Sequence, residues 1–507
     1  MKRTDAECWQ RTSPYSVLFF FGGLVKRLAR HATQVIAPIA AFFIAWQGDL
    51  QSKIVLAAVA LTFMATASAL LAYLTFYYRV DEEAIRIRYG VFQKRQLDIR
   101  FDRVQSVTTE QNPVYRALGL VSLTFDTAGS SKDEGVLPAI PVAEAEVLRN
   151  RIGRVDLVVA DTATPAAAAA PGELLLALGG WDMVRIGLAD WRALVLLAVL
   201  GPLFERAGNG VTDRIGSRVA DSMADVAKGF QEFGVAPGLV VLIALISVLV
   251  TLFGLLSIFA AFLRYHRFRL SRDGQRLRSV AGLLTRHENV THVAKVQILS
   301  LRQGLVLRLF RRLRIVAKQA RSGSGDRDSR HFQVPLVTPG FAGRFTRLVF
   351  DREAQGLDAD PWHSAFARVS PHYLRARLLP VALAPAAVAC LVIVPGAGWA
   401  AAWALLWIPI GALLAFQAWR RTAFRLDRDG IVRRSGLLGV RLDALLFRKV
   451  QRVSIRQSWF QRRRRLANLS MFTASGAITL PHIDHATACR LRDYILYRVE
   501  SSRQAWH

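Results

Sequence analysis

Cysteine is scarce in this sequence, and so is acid. The only cysteines are Cys8, Cys390 and Cys489, one near each end and one in an apolar run, so no disulfide framework can be drawn. Acidic residues number 38 against 67 Lys and Arg, which leaves a formal charge of +29. The phosphate-cradling pattern GxxxxGK[ST] and the zinc pattern HExxH are both missing, so neither common route to catalysis is signposted. Disorder is excluded by composition, because 52% of the 507 residues are apolar and 10% aromatic. A mean hydropathy of +0.26 together with so much base points to a membrane protein whose basic parts face an acidic surface.

Charge-free apolar runs mark candidate spans, since about 20 apolar residues cross a bilayer. They fall at residues 32–46, 54–77, 193–204 (extended by 186–188), 235–262 and 377–420. The last is long enough for two passes around Pro395-Gly396-Ala397-Gly398. The expectation is three transmembrane hairpins, at 32–78, 186–263 and 377–420. Asp190 and Arg192 lie in the weakest span and would have to face protein or water. The connections at 47–52, 206–235 and 395–398 are neutral or slightly acidic, so the excess of base assigns them to the outside. An N-terminal interfacial arm (1–31) and the long segments after each hairpin are then expected on the inside. Residues 16–28 read as an interfacial helix, because no small-residue cleavage site follows them.

The long segments repeat. Gly90, Val104, Gln105 and Gln111 recur as Gly282, Val296, Gln297 and Gln303, and again as Gly436, Val450, Gln451 and Gln457, at fixed spacing. Within each unit Ile85, Ile87 and Tyr89 style alternation predicts strands, and the glycines predict hairpin turns. Each unit ends on a helical pattern, near 142–152, 339–350 and 484–499. The units are 79–154, 264–352 and 421–507, with linkers at 155–185 and 353–376. Each is expected to be a small barrel or curled sheet capped by its C-terminal helix.

The stretch Ile99-Arg-Phe-Asp-Arg-Val-Gln-Ser-Val, followed by Tyr115-Arg-Ala-Leu-Gly-Leu-Val-Ser-Leu-Thr-Phe-Asp-Thr-Ala-Gly129, resembles the signature of bacterial pleckstrin-homology-like membrane proteins, long classed as a domain of unknown function. The likeness is close in the first unit and looser later, where Leu118-Gly119-Leu120 becomes Arg312-Leu313-Arg314 and Leu466-Ala467-Asn468. The resemblance implies a PH-like fold, residence in a bacterial inner membrane with the PH-like units on the cytoplasmic side, and a part in envelope stress defence; the expected partners are anionic membrane lipids and a protein, another PH-like-domain membrane protein being one candidate. It implies no catalytic residue and no cofactor.

Charge is uneven among the units. Residues 79–154 hold 12 basic and 11 acidic residues, 264–352 hold 20 and 5, and 421–507 hold 18 and 6. The densest runs are Arg308, Arg311, Arg312, Arg314 and Arg462, Arg463, Arg464, Arg465; Arg116, Arg308 and Arg462 share one repeat position. A solvated turn is the plain reading. The sharper one is contact with anionic headgroups, about 1 kcal/mol per basic residue near the leaflet, or with an acidic protein. Nucleic acid is disfavoured, since no stacking platform appears beyond Trp459-Phe460. The glutamine pairs read as hydrogen bonders of turn backbone. His482 and His485 flank Asp484 as caps rather than metal ligands, and Ser322-Gly323-Ser324-Gly325 reads as a flexible hairpin. The expected function is a non-enzymatic scaffold at the membrane, with a transport or lipid-handling component as the rival. Oligomeric state is not legible.

Overall fold

The computed structural model describes residues 9–17, 19–22, 50–90, 93–101, 104–127, 135–160, 173–190, 237–319, 331–350, 365–387, 407–437 and 439–501. The architecture is β-rich and repeats three times. Unit 1 holds β1 (Tyr77–Val80), β2 (Ala84–Tyr89), β3 (Arg95–Arg100), β4 (Val104–Gln111), β5 (Leu120–Thr127) and β6 (Gly135–Pro141). After the arm strand β7 (Glu173–Ala177), unit 2 holds β8 (Arg269–Asp273), β9 (Arg276–Ala281), β10 (Arg286–His292), β11 (Val296–Gln303), β12 (Leu313–Gln319) and β13 (Phe332–Val337). After the arm strand β14 (Ala367–Arg368), unit 3 holds β15 (Ala423–Leu426), β16 (Gly430–Ser435), β17 (Val440–Leu446), β18 (Arg452–Arg456), β19 (Leu466–Thr473) and β20 (Gly476–Asp484).

Long helices lead into the units: α1 (Leu50–Leu74), α5 (Pro237–Tyr265) and α9 (Trp407–Arg421). Short turn helices join the fourth and fifth strand of each: α2 (Pro113–Ala117), α6 (Leu305–Leu309) and α10 (Trp459–Arg463). Each unit closes on an amphipathic helix, α3 (Val142–Ala160), α7 (Pro339–Phe350) or α11 (His485–Glu500). Arm helices α4 (Gly180–Ala189) and α8 (His372–Leu378) precede α5 and α9.

The sheets do not respect unit boundaries. One seven-stranded antiparallel sheet has the order β6-β5-β4-β10-β9-β8-β7, and a second has β13-β12-β11-β17-β16-β15-β14. The last three strands of one unit thus continue into the first three of the next, through β4 on β10 and β11 on β17. Two three-stranded sheets remain at the ends, β1-β2-β3 and β18-β19-β20. Side chains cross the second seam: Leu442, Ala444 and Leu446 of β17 join the core of unit 2, while Ile298 of β11 joins that of unit 3. Burial of a leucine or isoleucine side chain contributes about 1.5–3 kcal/mol, and of an alanine methyl less.

The three transmembrane hairpins expected from hydropathy are not found. Among the described residues no helix is long and apolar enough to cross a membrane. Part of the apolar character counted along the sequence, in the second and third hairpin runs, is used in protein contacts. Residues 186–188 belong to α4, whose Met183 and Ile186 are buried in the core of unit 2. That helix stops at Asp190, which adopts an extended conformation and pairs with Arg314 at 3.6 Å. Ser257 of α5 donates to the carbonyls of Gly187 and Asp190. In the third run α8 continues through a π turn at Leu379–Leu383, and a Cβ on Gly411 of α9 would lie 2.5 Å from the Cα of Ala382. Residues 32–49, 191–236 and 388–406 lie outside the described residues.

Candidate functional site

The repeat glycines sit in one geometry. Gly90, Gly282 and Gly436 have φ of +112, +115 and +148°, where any side chain is strained. A Cβ there would approach the carbonyl oxygen three residues on to 2.0, 2.0 and 2.1 Å. The tip of the turn in unit 2 lies against the preceding long helix, since Leu283 N donates to Leu263 O. In unit 3, Arg421 donates to the carbonyls of Leu437 and Gly439, both at 2.9 Å.

The repeat valines Val104, Val296 and Val450 are each buried to 2% exposure. The second glutamine of each pair makes the same bond nine residues on. Gln111 Nε2 donates to Leu120 O, Gln303 to Arg312 O and Gln457 to Leu466 O, at 3.0, 3.1 and 2.8 Å. These bonds hold each turn helix against the strand that follows. Of the first glutamines, Gln297 is buried and Gln451 exposed; the side chain of Gln105 lies outside the described residues.

The arginine runs occupy the turns that these glutamines brace. Arg308 is in the last turn of α6, and Arg462 and Arg463 in the last turn of α10. Arg311 and Arg465, and not Leu313 and Ala467 as the sequence comparison sets them, stand where unit 1 has Gly119: each lies fifteen residues after its repeat valine, and all three have left-handed backbones, with φ of 50, 53 and 65°. Each closes the turn through its own N–H, to Arg308 O, Arg462 O and Arg116 O. Arg462, Arg463, Arg464 and Arg465 are all exposed, as are Arg308 and Arg311, whereas Arg312 is half-buried. Arg314 points away from this cluster to Asp190. The two runs therefore sit on separate turns, one per unit. Arg308 instead lies near Arg421, whose guanidinium is held below its ordinary value by burial, by Arg308 and by Arg420.

Apolar side chains share these turns. On α6, Leu305 and Leu309 are 53% and 80% exposed; on α10, Trp459 and Phe460 are 59% and 75% exposed. Arg463 lies 3.9 Å over the Trp459 ring, a cation–π contact. The helices beside the units also expose apolar residues, among them Phe63 and Met64 on α1, Leu255 and Phe259 on α5, and Leu413 and Phe416 on α9.

The seams carry the buried charge, and sequence reading missed them. At the first, Glu288 of β10 binds Arg149 of α3 and, at 2.8 Å, Arg278; His287 faces Glu110 at 3.5 Å. Thr109, Gln111, Arg149, Arg278, Arg286 and Glu288 line a small cleft there. At the second, buried Ser300 donates to Asp443, which also binds Arg441 at 2.9 Å. Lys449 crosses to Ala294 O at 2.7 Å, and burial, aided by Arg448, pushes its amine down to about 8. The only sequence signal for a seam is that Lys295 and Lys449 both precede the repeat valine, and Lys295 likewise reaches across, to Val104 O.

Asp484 caps α11 by accepting from Thr487 N, which holds its carboxyl below the usual range. His485 follows it at the helix start, and His482 O accepts from Ser370 N of the arm. Among the described residues no group of three or more His, Cys, Asp or Glu is placed to hold a metal ion. Ser322 to Gly325 lie outside the described residues.

A family model described as a bacterial PH domain matches residues 33–155, 226–352 and 378–499. The chain is similar to UPF0699 transmembrane protein YdbT of Bacillus subtilis (strain 168), 21% identical over 437 residues, which cover 81% of this chain and 82% of that protein. It is also similar to UPF0699 transmembrane protein YdbS of the same strain, 32% identical over 84 residues, 17% of this chain and 51% of that protein. No solved structure matches. With three matched segments that each run from a leading helix to a capping helix, the chain belongs to the bacterial PH-domain family, as a three-repeat member.

Proposed function

We propose that this protein is a membrane-associated, non-enzymatic scaffold that holds the basic, apolar-tipped turns of its second and third units against an anionic lipid surface. The observation that carries the reading is the turn helix α10, where exposed Trp459 and Phe460 stand beside four exposed arginines. Apolar surface of this kind is favoured where something other than water covers it. Aromatic rings at headgroup depth with arginines on the phosphates satisfy both halves of the turn. Unit 2 offers the same combination in Leu305, Leu309, Arg308 and Arg311. The names of the relatives support a membrane location. The non-enzymatic reading is supported by the use of the second glutamine of each pair, which serves a backbone carbonyl in all three units.

The test uses the full chain with Cys8, Cys390 and Cys489 changed to serine and Phe460→Cys carrying a polarity-sensitive fluorophore. In nanodiscs containing phosphatidylglycerol the emission shifts to the blue; in phosphatidylcholine discs the shift is small. Changing Arg462 to Arg465 to glutamate abolishes the difference. Equal spectra in the two lipids would refute the reading, and a shift that needs added protein rather than anionic lipid would replace it with a protein-docking role.

A further inference from the structure

The two seams are one interface used twice. Gln111 lies opposite Arg286, and Gln303 opposite Val440; both partners stand four residues after the turn glycine of their unit. Pairing runs five residues further in the same register in each case, to Ser106 on Thr291 and Ile298 on Leu445. Every unit therefore has a donating strand of the β4, β11, β18 type and an accepting strand of the β3, β10, β17 type. Among the described residues two of these six, β3 and β18, are sheet edges. At the second seam every residue of β11 and β17 is buried or half-buried; at the first, Glu110, Arg286 and His287 stay exposed; on the edges, Arg95, Gln96, Asp98 and Arg100 of β3 and Arg452 and Arg456 of β18 are exposed.

We infer that the stack continues from one molecule to the next, β18 of one copy pairing antiparallel with β3 of a second copy in the register of the two internal seams. Continuity with an existing interface singles out a copy of this chain as the occupant, because it presents the same strand pair that the chain already joins within itself. The first unit is nearly neutral, with 12 basic and 11 acidic residues, so it meets the strongly basic third unit without a clash of net charge. The register sets Gln457 opposite Lys94, Arg456 opposite Arg95, Ile455 opposite Gln96 and Val453 opposite Asp98; the Arg456–Arg95 pair is like-charged and opposes the contact, which the backbone ladder has to outweigh. Such a contact is head-to-tail, so it closes into a ring or extends as a row. Exposed strand edges are ready templates for this kind of pairing.

Cysteine cross-linking of the full chain in native membranes, with the native cysteines removed, tests this. Glu110→Cys with His287→Cys in one chain reports the internal seam and therefore the fold. Arg95→Cys in one tagged copy and Arg456→Cys in another, coexpressed, are predicted to link into a dimer. The off-register pair Arg95→Cys with Arg452→Cys should link about tenfold less, because disulfide geometry tolerates little displacement. The inference fails if the internal pair links and the intermolecular pair does not. It also fails if the Arg95→Cys, Arg456→Cys double variant links only within its own chain, or if Arg456→Cys captures a different protein and no second copy.

Discussion

The turn after each small helix shows how much one backbone angle decides. Gly119 has φ of +65° and nothing within 4 Å of where a Cβ would stand. Gly119→Ala should therefore cost only the left-handed penalty, about 1 kcal/mol, read from the denaturation of the full chain. Gly282→Ala should cost clearly more, because its Cβ would meet Thr285 O as well as an unfavourable φ. His482 offers a pH test. Burial, with His372 and Arg377 nearby, holds its imidazole below the ordinary 6.5. As pH falls below 6.5 the unfolded chain takes the proton first, so the folded state loses stability through the window down to the lowered value. His482→Asn keeps a residue that tolerates the left-handed backbone (φ 50°) and removes the proton site. The thermal midpoint of the variant should therefore vary less between pH 7.5 and 5.5 than that of the parent.

At the scale of elements, spacing in the sequence carried real geometry. The intervals from glycine to valine to glutamine translate into a strained turn, a buried strand start and a bond to the carbonyl nine residues beyond. Gln457→Leu should cost about 1–2 kcal/mol, because Leu466 O loses its donor. Hydropathy translated less well. It sums apolar side chains without knowing their neighbours, and Met183, Ile186, Ala382 and Ala415 are buried against protein. Asp190 is the visible warning in that run: α4 stops there, and the carboxylate pairs with Arg314. The basic turns were legible as charge, but the apolar tips that accompany them needed exposure to be seen.

For the whole molecule, the decisive fact is that neighbouring units share sheets. Apart from the lysines before the repeat valine, no local pattern announces this, because strand pairing over such separations is set by which edges meet rather than by periodicity. Glu288 shows the consequence: it is placed by unit 2, yet one of its partners is Arg149 in unit 1. Glu288→Gln should loosen the first seam by about 1–3 kcal/mol, since it leaves two guanidiniums without their carboxylate. Proteolysis after α3 should then speed up while units 2 and 3 stay joined.

The shared sheets can be tested most directly by hydrogen exchange on the full chain at β11 and β17. A strand bracketed on both sides has every amide paired, and β11 lies between β12 and β17, as β17 lies between β16 and β11. Slow exchange at all the ladder amides of residues 298–303 and 440–445 is the predicted result. Fast exchange at alternate positions along both strands, the signature of two separate edges, would contradict the account.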